Sequence, residues 1–152
     1  FMMAHQLLVP ADNKPGMLAK VTSVLAREKI NIRAITISSF GERGFFNIIV
    51  DEPKRAHREL EKAGLTVELK DVIAVLIDDR PGGLDRLVQL LASKSINVEN
   101  AYGFVLESRV QAVFVIDVNN RELALQALKD NGYKTIDAES LNSVEPFHYM
   151  KY

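Results

Sequence analysis

Asp12-Asn13-Lys14-Pro15-Gly16-Met17-Leu18 returns 66 positions later as Asp78-Asp79-Arg80-Pro81-Gly82-Gly83-Leu84. Outward from this phrase, Leu25-Ala26 falls on Leu91-Ala92, and Ile30-Asn31-Ile32 falls on Ile96-Asn97-Val98. From 12 to 32, 8 of 21 positions are identical to their counterparts. Identity at that density over one fixed offset marks an internal duplication, and a unit used only twice is not a solenoid. The same offset sets residues 46–51 on 112–117. A two-residue insertion is expected after that point, so that Leu60 pairs with Leu128 and Gly64 with Gly132. The expected domains are residues 5–71 and 72–140, followed by a C-terminal tail at 141–152.

Each copy reads in the same order. Residues 6–9 form a short strand, and the turn residues 13–16 lead into a helix. Pro15 suits a first helical turn, where its missing N–H has no partner to lose. Leu18, Val21, Val24 and Leu25 recur at helical spacing and define one apolar face. Residues 30–39 are rich in β-branched side chains and read as a second strand. Gly41-Glu42-Arg43-Gly44 reads as a hairpin turn into a third strand at 45–50. A helix at 54–63 is stopped by Gly64, and 67–69 opens a fourth strand. The second copy repeats this at 73–77, 82–94, 96–106, 110–118, 121–131 and 135–138. The order β-α-β-β-α-β predicts an α+β fold of two tandem ferredoxin-like units, each an antiparallel sheet with its helices on one face. No Pro/Gly/Ser linker separates them, and 67–77 reads as one extended segment.

Within the second strand the apolar parity slips. Ile30 and Ile32 share one phase, while Ile35 and Ile37 take the other, which predicts a β-bulge near Arg33-Ala34. Ile96 and Val98 followed by Ala101 predict its twin near Glu99-Asn100. By the parity after the slip, Tyr102 and Phe104 leave the helix-covered face, with Thr36 and Ser38 as their counterparts and Val113 and Val115 beside them. Apolar residues there need a cover, which a second chain or the aromatic tail can supply.

Composition excludes several function classes. The 152 residues are 47% hydrophobic and 26% charged, an ordinary globular balance. Lys+Arg is 19 and Asp+Glu is 20, so no broad basic surface for nucleic acid or membrane is expected. There is no cysteine, which removes disulfides, thiolate metal sites and a cysteine nucleophile. His5, His57 and His148 lack metal-ligand spacing, and Asp78-Asp79 reads as a solvated loop, so no metal and no cofactor are expected. No apolar run is long enough for a membrane helix and no secretory leader is read, which suggests a cytoplasmic protein.

The informative set is Asn13-Lys14-Pro15-Gly16-x-Leu18 after a strand, a helix of about three turns, and Asn31 opening the next strand. With its second copy it resembles the ACT domain family of small-molecule-binding regulatory modules, over nearly the whole chain. The chemistry fits an amino acid. A loop ahead of a helix presents unpaired N–H groups and the positive end of the helix dipole, which suit a carboxylate. Gly16 lacks a Cβ that would keep a ligand from the backbone. An asparagine amide can bridge a carboxylate and an ammonium.

The resemblance implies ligand contacts from the polar residue two before the proline, here Asn13 and Asp79, and from the asparagine opening the second strand, here Asn31 and Asn97. It implies that the latter comes from a neighbouring module across a paired interface. The expected binding set is Asp12, Asn13, Pro15, Gly16, Met17, Leu18 and Asn31, with Asp79, Gly82, Gly83, Leu84 and Asn97 from the second copy. The two loops are not expected to be equivalent, because Asp78 and Asp79 together repel a carboxylate. Some family members carry histidine where this chain has Ala11 and Ile77, which turns the expectation toward an apolar amino acid.

The function expected is a non-catalytic amino-acid sensor, binding at the interface between ACT units, as a homodimer, with a regulated metabolic enzyme as a possible partner. No catalytic residues are expected. Pro15-Gly16 and Pro81-Gly82 also serve as helix-start punctuation, and Asn31 and Asn97 as turn caps, so a structural dimerisation module stands as the alternative. An enzyme of acylphosphatase type would want an Arg-lined phosphate cradle, which is not found. An RNA-binding sheet would want an aromatic and basic third strand, which 110–118 lacks.

Overall fold

A computed structural model describes residues 3–12 and 14–137. The expectations for Asn13 and for the tail at 141–152 lie outside the described residues. The chain divides into two compact units, an N-terminal one of His5–Lys70 and a C-terminal one from Asp71 onward that also takes in the residues through Ala4. The N-terminal unit holds β1 (Ala4–Asp12), α1 (Met17–Arg27), β2 (Ile32–Phe40), β3 (Arg43–Val50) and α2 (Pro53–Lys62). Strand β4 (Glu68–Asp78) begins there and continues without a break into the C-terminal unit, as the extended segment predicts. The C-terminal unit then adds α3 (Gly83–Ser93), β5 (Val98–Glu107), β6 (Gln111–Val118), α4 (Arg121–Asp130) and β7 (Thr135–Ile136).

Each unit folds as its apolar periodicity dictates. Val21, Val24 and Leu25 of α1 and Ala56 and Leu60 of α2 are buried against Leu7, Val9, Phe46, Ile48 and Val50 of the strands. The matching core of the C-terminal unit joins Leu87 and Leu91 of α3 and Ala124 and Leu128 of α4 to Ile73, Val75, Ile116 and Val118. Leu7, Leu25, Ile48 and Leu60, and likewise Ile73, Leu87 and Leu128, are almost wholly buried. Burial of each contributes about 1.5–3 kcal/mol. In the N-terminal unit β3 lies between β2 and β1; in the C-terminal unit the order is β7, β4, β6, β5. All these pairings are antiparallel, and the helices pack on one face.

The strand register corrects the sequence alignment of the repeats. Leu7 pairs with Ile48, and its counterpart Ile73 pairs with Ile116. Ile48 therefore corresponds to Ile116, and Phe46 and Val50 to Phe114 and Val118, which are three identities at an offset of 68. The earlier match of 46–51 to 112–117 is wrong by two. The two extra residues lie in the β5–β6 hairpin, not after the third strand. Ser39 and Gly44 pair across four intervening residues, whereas Val105 and Ala112 pair across six. A hairpin end is where an insertion leaves both ladders intact.

The bulges fall where the parity slips, between Ile32 and Ala34 and between Val98 and Asn100. The helix starts differ from expectation. Helix α1 begins at Met17 with Gly16 as N-cap, so Pro15 stands in the turn before it rather than in its first turn. Tyr102 and Phe104 face Val115 and Val113 across the ladder, on the side away from the core residues Phe114 and Ile116. Burial, with Asp117 close by, pushes the Tyr102 phenol well above its ordinary range. The corresponding face of the N-terminal unit carries a polar relay instead. Gln6 Nε2 donates to Asn47 Oδ1 at 3.1 Å, and Asn47 Nδ2 donates to Thr36 Oγ1 at 3.2 Å. Buried amides need such partners.

Candidate functional site

Three small residues stand in register across the end of the N-terminal sheet. Ala11 of β1 pairs with Gly44 of β3, and Gly44 with Ser39 of β2. By strand alternation they face the helices, on the same side as Phe46 and Val9. Small side chains in a row leave the space above them empty. A cavity of about 260 Å³ opens there, walled by Lys14, Pro15, Gly16 and Leu18 on the loop side and by Ile37 and Phe46 on the sheet side. Gly44 is needed for its size. A Cβ on it would come within 2.9 Å of the Ser38 carbonyl oxygen.

The start of α1 adds the polar chemistry. Its N-cap Gly16 has φ of 93° and supplies no side-chain acceptor, and the first turn carries no acidic residue. Lys20 N–H donates to Gly16 O at 3.0 Å, but the amides of Leu18 and Ala19 precede any intrahelical acceptor. Among the described residues no side chain caps these amides, whereas at helix α4 Asn120 Oδ1 accepts from Leu123 N–H at 3.1 Å. Uncapped amides and the helix dipole together favour a carboxylate. Gly16 also takes a left-handed φ that glycine adopts without strain, and a Cβ there would meet no protein atom within 4 Å. The Lys14–Asp12 ion pair at 3.8 Å is largely exposed and contributes little.

The structure gathers only part of the expected set at this cavity. Asp12, Pro15, Gly16 and Leu18 line it. Met17 instead packs against the core. Asn31 stands at the opposite end of β2, six residues from Ile37, or about 20 Å along a strand. Its backbone N–H donates to Asp51 Oδ1 at 3.1 Å, and Asp51 N–H returns a bond to Asn31 O. Asn97 is held the same way by Asn119, so both asparagines sit in a local turn closure. The sequence reading missed Ile37, Ser39, Gly44 and Phe46. The signal was present in the small residues Ser39 and Gly44 at strand ends, but the two-residue error in alignment hid the counterpart of Gly44.

In the C-terminal unit the corresponding row is Ile77, Ala112 and Val105. All three side chains are larger than their counterparts Ala11, Gly44 and Ser39, and Val105 is exposed. Gly82, the N-cap of α3, has φ of 87°, and the Arg86 side chain folds over it. Gly83 touches the strand, Leu84 is exposed, and Asp79 is held by the β5–β6 turn. A cavity of about 340 Å³ in this unit is lined by Ile77, Asp78, Gly83, Arg86, Tyr133 and Lys134, among others. The Arg80 guanidinium, bonded at 2.9 Å, holds the Asp78 carboxyl below its usual range, and Arg86 adds to this. Among the described residues no cluster of three or more His, Cys, Asp or Glu could hold a metal, and no helix is long and apolar enough to cross a membrane.

Fold and repeat together define a tandem pair of ferredoxin-like βαββαβ modules. The ACT domain pair model matches residues 2–144, and the chain belongs to that family. Protein BT0572 from Bacteroides thetaiotaomicron is similar in structure, with a TM-score of 0.86 and 30% identity, over 92% of this chain and 96% of that one. The ligand-free regulatory subunit of aspartate kinase from Thermus thermophilus shares the fold at a TM-score of 0.60 and 24% identity, covering 85% of this chain and 92% of its own. The alpha and beta subunits of an aspartokinase share it at 0.52 and 19%, covering 86% and 96%. No curated protein matches the chain.

Proposed function

We propose that the N-terminal unit binds an amino acid with an apolar side chain, and that the protein is a non-catalytic sensor that passes ligand occupancy to a regulated enzyme. The observation that carries this is the cavity over Ala11, Gly44 and Ser39, placed at the uncapped start of α1. Its volume of about 260 Å³ lies just under the range of small-molecule pockets, roughly 300–1,000 Å³, and suits a ligand of amino-acid size. Its ends differ in chemistry. The amides of Leu18 and Ala19 suit the α-carboxylate, the exposed Asp12 carboxylate suits the α-ammonium, and Ile37, Phe46 and Leu18 suit an aliphatic side chain. Membership in the ACT domain pair family supports the regulatory part of the reading.

A thermal-shift screen against the twenty amino acids tests it. A ligand at a hundred times its Kd stabilises the fold by about 2.7 kcal/mol, which for a protein of this size raises Tm by roughly 5–10 °C. Leucine, isoleucine, valine, methionine or phenylalanine is expected to give such a rise, and aspartate and glutamate none. A flat response to all twenty would leave a structural dimerisation module as the better account.

A further inference from the structure

We propose that the C-terminal unit carries a separate binding site of its own, for the phosphate group of a small molecule, in the cavity between the start of α3 and the turn that joins α4 to β7. The proposal stands apart from the N-terminal site and concerns a ligand of different charge. The cavity, about 340 Å³, falls within the range of small-molecule pockets, roughly 300–1,000 Å³. Its charged lining divides into a matched part and an open part. Among the described residues Asp78 is its only carboxylate, and Arg80 already holds that carboxylate at 2.9 Å. Arg86 reaches the same oxygen only at 3.5 Å, a long contact that leaves its guanidinium with donors to spare. Among the described residues the Lys134 ammonium, the Tyr133 hydroxyl and the Gln111 amide make no side-chain hydrogen bond or ion pair. Two cations with neutral donors beside them suit a group that brings only acceptors and concentrates negative charge on one centre, as a phosphate does. Arg86 and Lys134 lie far apart in sequence and come to one cavity only in the fold, so no local motif announces the site.

The backbone that carries these groups is held in place. Gly132 ends α4 with a left-handed φ of 79°, and Tyr133 N–H then donates to Leu128 O at 2.9 Å. Lys134 O accepts from Leu76 N–H at 2.9 Å, which ties the turn to β4. Gln111 pairs with Asp78 across the β4–β6 ladder. A site built on bonded elements of this kind keeps its geometry without a ligand. The first copy has the same frame with different chemistry. After Gly64, Leu65 N–H donates to Leu60 O at 3.1 Å, as Tyr133 does to Leu128. At the places of Gly83, Tyr133 and Lys134, however, stand Met17, Leu65 and Thr66. Leu65 belongs to the apolar core, Met17 packs against it, and Thr66 carries no charge. The turn thus forms without a hydroxyl at the first of its last two places and without a cation at the second. Closing α4 does not account for the Tyr133 hydroxyl or the Lys134 ammonium, and a bound phosphate does.

An NMR titration of the full chain at constant ionic strength tests the proposal, with glycerol 3-phosphate, inorganic phosphate and succinate as probes, each to about 10 mM, several times a millimolar Kd. Glycerol 3-phosphate or inorganic phosphate is expected to give saturable shifts at the Gly83, Arg86 and Lys134 amides, and succinate weaker ones. Tighter binding of the ester identifies an organic phosphate, and tighter binding of the free ion identifies phosphate itself. Lys134→Thr, which copies the residue of the first unit, should weaken that binding by at least about tenfold, the worth of one hydrogen bond to a charged group. Lys94→Thr, at an exposed lysine outside the cavity lining, should leave it unchanged. Arg86→Gln gives the same reading as Lys134→Thr should the latter fail to fold. No saturable movement of those amides with either phosphate overturns the proposal, as does an affinity that Lys134→Thr and Arg86→Gln both retain. Equal losses in Lys134→Thr and Lys94→Thr overturn it too, because net charge alone would then explain the attraction. Tighter binding of succinate than of either phosphate overturns the assignment to phosphate. A chain that binds phosphate here but no amino acid at the N-terminal loop loses the function proposed above and keeps this site.

Discussion

Replacing Gly83 by methionine, the residue at the same place in the first copy, is expected to destabilise the protein by about 3 kcal/mol, or roughly 6–12 °C in Tm. A Cβ at Gly83 would lie 2.2 Å from the Asp78 carbonyl oxygen, far inside contact distance and against backbone. Helix α3 would have to lift from the end of β4, carrying Leu87 and Leu91 out of a closely packed core. Met17 has a side chain at this place and packs it into its own core, so α1 must sit differently against β1. Equilibrium unfolding in urea gives the value. A loss below about 0.5 kcal/mol, the scatter of surface substitutions, would contradict the apposition.

The second large effect is on binding. Ala11→Ile with Ser39→Val copies into the first unit two of the three larger side chains of the corresponding row in the second. The added methyl groups would occupy the floor of the cavity, and an overfilled pocket rejects its ligand sterically. Calorimetry is expected to show at least a hundredfold weaker binding, about 2.7 kcal/mol, of whichever amino acid stabilises wild type. The melting temperature of the free protein should change by only a few degrees, because both substitutions point into empty space. Retained affinity in a folded double variant would place the ligand elsewhere.

Much of the fold was legible because it depends on periodicity. The duplicated Pro-Gly-x-Leu phrase, the helical spacing of Val21, Val24 and Leu25, and the parity slips at Arg33-Ala34 and Glu99-Asn100 all have direct structural counterparts. The hairpin insertion was legible but missed: over 46–51 an offset of 66 matches only Asp51 with Asp117, whereas 68 matches Phe46, Ile48 and Val50 with Phe114, Ile116 and Val118. The pairings of Leu7 with Ile48 and of Ile73 with Ile116 settle the register. The candidate site was legible as a loop and not as a cavity. Asp12, Pro15, Gly16 and Leu18 follow one another in sequence, whereas Ala11, Ser39 and Gly44 meet only across three strands. Asn31 looked functional by type, yet its place is fixed by the exchange of bonds with Asp51 at the far end of β2.

The most direct test of the central claim is an NMR titration of the backbone amides of the wild-type chain with L-leucine. The account predicts saturable shifts centred on Gly16, Leu18, Ala19 and Phe46, with the Leu18 and Ala19 amides moving downfield as they gain a carboxylate acceptor. No movement of those amides with any apolar amino acid, or saturable shifts confined to the flank lined by Arg86 and Lys134, would contradict it.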